Sequence, residues 1–101
     1  MKVNKAEAQL LEEFGFTPDP KHPSEYTIEF PYGKSATLRK MGANEWRVSY
    51  WVVRVRSPQD TYPGEDSKWG TLAKCIRVAL EQRVFFGHAA LLHPLPPKEE
   101  K

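Results

Sequence analysis

Along this chain the spacing of apolar residues changes from a helical to an alternating period and back, and each change marks an element. Ala6, Leu10, Leu11 and Phe14 recur at helical intervals, which predicts a short amphipathic helix over residues 5–14. Asn4 stands where a cap oxygen accepts from first-turn N–H groups, and Glu7 can reach back as in a capping box. Gly15 then Phe16 predict a left-handed stop, with Phe16 folding back on Leu11 as in a Schellman motif. Tyr26-Thr27-Ile28-Glu29-Phe30 alternates strictly, the mark of a half-buried strand with Tyr26, Ile28 and Phe30 inward. Ser35 to Met41 predicts a second strand after a Pro31-Tyr32-Gly33 turn, and Gly42 to Glu45 a hairpin loop.

The stretch Trp46 to Arg56 is the expected centre of the sheet. Its valines, Tyr50 and two tryptophans suit a pleated surface. Three strands joined by two short turns make an antiparallel meander. Apolar residues fall on both faces of this strand, so either a bulge shifts its register or its second face is also covered.

Prolines 18, 20 and 23 predict a stiff loop over 17–23, and Ser57-Pro58 an end to the sheet. A loop with a Pro63-Gly64 turn follows. Trp69, Leu72, Ala73, Ile76, Ala79, Leu80 and Val84 then recur at helical spacing. They predict a long helix capped by Asp66 or Ser67, running to about Phe86 and stopped by Gly87, with Leu72, Ile76 and Leu80 supplying most of the core. The expected class is α+β: helix, three-stranded antiparallel meander, long helix, with both helices on one sheet face. Residues 1–96 are expected to form one domain and 97–101 a mobile charged tail.

Composition narrows the function. The chain has 101 residues, enough for one modest core. The net charge is only +2, but residues 32–58 hold six basic groups and one acid, against three basic and six acidic in residues 1–31. The positive charge therefore gathers in the sheet. A single cysteine, Cys75, forms no internal disulfide, and no apolar run reaches membrane-spanning length, so a cytoplasmic protein that does not enter a membrane is expected.

No nucleophile motif, phosphate loop or paired metal-ligand spacing is present, and His22, His88 and His93 are scattered. A mid-helix Cys75 beside an apolar stripe reads as a structural thiol. A non-enzyme without cofactor or metal is expected. Basic and aromatic residues interleave on two strands, and Arg39, Lys40, Arg47, Tyr50, Trp51, Arg54 and Arg56 form the candidate binding surface. Surplus aromatics on a small non-catalytic domain suggest an accessory factor that binds an unidentified protein. That is an adaptor or inhibitor, by analogy of the phage or mobile-element kind. The alternative is nucleic-acid binding by the same basic, aromatic sheet. A strand apolar on both faces also suggests a homodimer.

The run Gly64-Glu65-Asp66-Ser67-Lys68-Trp69-Gly70-Thr71-Leu72-Ala73-Lys74 resembles the start of the second helix in double-stranded RNA-binding domains, which share the helix–three strands–helix order. That resemblance would put Lys68 and Lys74 on phosphate. Glu65 and Asp66 stand where phosphate would lie, Trp69 replaces a lysine, and the hairpin lacks the family's Gly-Pro-x-His pattern, so membership does not follow.

Overall fold

The structure, a computed structural model, describes residues 2–92, apart from the side chains of Tyr32, Val53 and residues 86–92. The expectations for His93 and for the tail after Pro96 lie outside the described residues. The chain is α+β: helix α1 (Lys5–Glu13), strands β1 (Thr17–Asp19), β2 (His22–Glu29), β3 (Ser35–Gly42), β4 (Glu45–Ser57) and β5 (Asp60–Gly70), then helix α2 (Leu72–Leu92). The strands form one antiparallel sheet in the order β1-β2-β3-β4-β5.

Both ends of α1 follow the sequence. Asn4 Oδ1 accepts from the Glu7 N–H at 2.8 Å, and the Asn4 N–H donates to Glu7 Oε1 at 2.9 Å, so two orphan donors are satisfied reciprocally. At the other end Gly15 adopts φ +92, which an L side chain rarely tolerates. The Phe16 N–H donates to the Leu11 carbonyl and the Gly15 N–H to that of Glu12, each at 3.0 Å. This is the bonding of a Schellman stop, and it drives Phe16 into the core at 1% exposure.

The sheet has five strands where the pattern predicts three, and both additions are at its edges. The supposed proline loop is β1 and the start of β2. Pro18 pairs with Tyr26 on an edge strand, where a missing N–H costs no ladder bond to an outer neighbour. Asp19 Oδ1 accepts from the Lys21 N–H at 2.8 Å and closes the hairpin between them. At the opposite edge Ser57-Pro58 turns the sheet rather than ending it. β5 follows β4 from Ser57↔Asp60 to Trp46↔Gly70 and takes in Pro63-Gly64, read above as a turn. The strand-forming β4 imposes this pairing on a weak partner. A Cβ on Gly64 would run into the Arg54 side chain, so glycine there lets Arg54 lie across the strand.

The long helix consequently starts later. Thr71, not Asp66 or Ser67, caps it: Thr71 Oγ1 accepts from the Lys74 N–H at 3.2 Å. Trp69 belongs to β5, and the helix continues through Gly87 to Leu92. Of the run that resembles the entry to an RNA-binding helix, residues 64–70 lie in the edge strand β5 and residues 72–74 open α2.

Register places Tyr26, Ile28, Ala36, Leu38, Trp46, Val48 and Tyr50 on one face, where cross-strand partners point the same way. They form one buried cluster with Leu11, Phe16 and Phe30 and with Leu72, Cys75, Ile76, Val78 and Ala79 of α2. Leu80 is half-buried against that cluster. Past Ala36↔Tyr50, β4 and β5 pair only with each other. Their far ends form a two-stranded arm. No described helix is long and apolar enough to cross a membrane.

Candidate binding surface

The second sheet face is built by the other half of the alternation. Directly paired residues share a face, so Thr17, Thr27, Thr37, Ser49 and Ser67 form a hydroxyl row across all five strands. Thr27 Oγ1 lies 3.4 Å from Thr37 Oγ1, and the Thr17 hydroxyl donates to the Thr27 carbonyl at 3.4 Å. On one side of this row runs Glu25–Arg39–Arg47–Trp69. On the other lie the pairs Glu29–Ser35 and Trp51–Glu65. None of these residues is buried.

Both tryptophans of this face carry a cation. Lys34 Nζ sits 4.6 Å from the Trp51 ring centroid, and the Arg47 guanidinium carbon 5.8 Å from that of Trp69. Such stacking holds long side chains in place and keeps large rings at the surface. Trp69 is 48% exposed, Trp51 half-buried. Arg47 Nε is buried without an acceptor among the described residues. Around the hydroxyl row lie three acids, Glu25, Glu29 and Glu65, and three bases, Lys34, Arg39 and Arg47, so the charges of this surface balance in number.

Of the seven residues read from the sequence, Arg39, Arg47 and Trp51 meet here. Tyr50 does not: it is a core residue at 5% exposure. Lys40 also points inward, at 7% exposure, with Nζ 2.7 Å from Glu7 Oε1 and 3.1 Å from the Lys2 carbonyl. Arg54 and Arg56 sit on the arm, where acids of β5 occupy them. Arg54 bonds Asp66 and the Glu65 carbonyl, while Arg56 lies 3.3 Å from Asp60 and 4.8 Å from the Tyr62 ring. Three of the six basic groups of residues 32–58, Lys40, Arg54 and Arg56, are thus paired with acids.

The sequence reading missed Trp69, the hydroxyl row and Glu25. Thr27 was available from the alternation that places Tyr26, Ile28 and Phe30 inward. Trp69 was not, because it falls in phase with the helical stripe that follows.

The remaining chemistry is quiet. Burial pushes the Cys75 thiol pKa up, against smaller opposing effects of Lys74 and a backbone bond to Val48, so the buried sulfur stays protonated. Among the described residues no three His, Cys, Asp or Glu side chains group to hold a metal ion. No family model matches the chain, and no curated protein or solved structure matches it.

Proposed function

We propose that this chain is a non-catalytic protein-binding module, an adaptor or inhibitor that works by occlusion. In this reading both helices lie on one sheet face, and the partner contacts the other through Arg39, Arg47, Trp51 and Trp69. The observation that carries it is the pair of surface tryptophans, each stacked by a cation, on a face whose charges balance. Tryptophan and arginine are the residues on which protein interfaces most often concentrate their binding energy. A nucleic-acid partner would want an excess of positive charge along a track, and the pairing of Lys40, Arg54 and Arg56 with acids reduces it. A single buried thiol fits a cytoplasmic setting.

The test is capture from source cells on the immobilised chain, comparing wild type with Trp51→Ala/Trp69→Ala and with Lys21→Ala in the exposed β1–β2 turn. Loss of about 2 kcal/mol per anchor weakens binding roughly thirtyfold or more. The reading expects a protein held by wild type and Lys21→Ala, lost by the tryptophan variant and little affected by salt. Retention by the tryptophan variant contradicts it. So does wild-type binding to a single-stranded oligonucleotide that falls steeply with salt.

A further inference from the structure

The helices carry a surface that the sheet reading does not use. Between α1 and α2 lies an apolar groove of about 630 Å³, lined by Leu10, Phe14, Ile76, Leu80 and Val84, with Arg77 and Glu81 beside them. Leu10 is 36% exposed, Phe14 43% and Val84 63%. The helix that forms its floor is longer than the sheet requires. The last buried residue described in α2 is Ala79, and Leu80 still packs on the core, yet the helix runs on to Leu92. At 1.5 Å per residue that is about 20 Å of further helix. Its stretch Val84-Phe85-Phe86-Gly87-His88-Ala89-Ala90-Leu91-Leu92 contains no Asp, Glu, Lys or Arg. Of its described side chains, Val84 and Phe85 are each 63% exposed.

We propose that the occupant of this groove is a second copy of the chain, with the two α2 helices antiparallel about a two-fold axis. The charges beside the groove select this occupant. Arg77 and Glu81 lie one turn apart beside the apolar stripe, and neither makes an ion pair among the described residues. Within one helix an acid is better placed before its base than after it, so this order is a weak internal pair. Between antiparallel copies centred near position 79, Arg77 of each meets Glu81 of the other, and the axis repeats the contact. An isologous interface demands this kind of self-complementarity. A small apolar ligand has no use for it. The hydroxyl row makes the open sheet face polar, which moves self-association from that face to the helices.

Sedimentation equilibrium on the full chain tests the proposal. Wild type is expected to dimerise at tens of micromolar. Glu81→Arg brings arginine against arginine twice and is expected to weaken the dimer about tenfold. Arg77→Glu/Glu81→Arg restores opposite charges across the axis and is expected to return affinity to near the wild-type value. Val84→Asp should abolish the dimer. All these positions are exposed, and circular dichroism checks that each variant folds. A wild type that stays monomeric, a Glu81→Arg dimer of unchanged affinity, or a double variant as weak as the single one overturns the proposal. The outer-face variant Trp51→Ala/Trp69→Ala should dimerise like wild type, so the two surfaces fail or succeed separately.

Discussion

Replacing Trp46 with alanine is expected to cost ~3–5 kcal/mol, a large part of the ~5–15 kcal/mol that holds a domain together. Trp46 is fully buried in β4, paired with Lys40 on one side and Gly70 on the other. Its removal leaves a cavity in the buried cluster, between β3 and β5. Its indole Nε1 has no acceptor among the described residues, so the loss is of packing rather than of a hydrogen bond. Trp46→Phe should therefore be the milder change. Ile76→Ala, on the helix packed against the sheet, should cost ~2–5 kcal/mol. Urea unfolding followed by circular dichroism measures all three. A Trp46→Ala variant that unfolds within a few tenths molar of wild type would place the core elsewhere.

Glu7→Gln is expected to destabilise the chain by about 3 kcal/mol, because it strips the charge from the carboxylate that faces buried Lys40. One oxygen of Glu7 serves two elements: it accepts from the Asn4 N–H in the α1 cap and from Lys40 Nζ in β3. The pair thereby ties the first helix to the sheet. Replacing both residues with apolar ones of similar volume should restore most of the loss, since removing one partner is worse than removing two. The same pair gives a pH signature. Burial acts to raise the Glu7 pKa, but the hydrogen bond from Lys40, the bond from the Asn4 backbone and the Lys40 charge outweigh it and hold the carboxyl below its ordinary 4.5. A carboxyl depressed in the folded state contributes stability above its unfolded pKa and loses it as pH falls through the folded value. Wild-type stability should therefore fall more steeply than that of Glu7→Gln as the pH drops below about 4.5. Parallel pH profiles for the two would mean that the pair is solvated and contributes little.

These consequences divide along what the sequence makes legible. The helix α1, its two caps and the three inner strands could be read directly, because each buries one face and so carries a periodic signature. The edge strands could not. β1 has no buried residue and β5 alternates without burying any, so neither leaves a hydrophobic pattern. Their pairing comes from tertiary contact with β2 and β4. Pro18 and Pro63, signals against a central strand, are compatible with an edge. Once β5 was missed, Trp69 was drawn into the helix, and the acids that neutralise Arg54 and Arg56 became loop residues. The candidate surface suffered from a second effect. Arg47 and Trp51 share one parity in β4, while Tyr50 has the other and points into the core. Pooling basic and aromatic residues by proximity in sequence merged two faces of one sheet.

The proposed binding surface requires the second sheet face to be open, with Trp69 and Trp51 on it and Trp46 beneath. Acrylamide quenching of three single-tryptophan variants, the other two positions carrying phenylalanine, measures this directly. Trp46 should emit at short wavelength and resist quenching, Trp69 should quench readily, and Trp51 should fall between them. Trp69 as protected as Trp46 in the free monomer would mean that the face is closed within the chain, and the proposed binding surface would not exist.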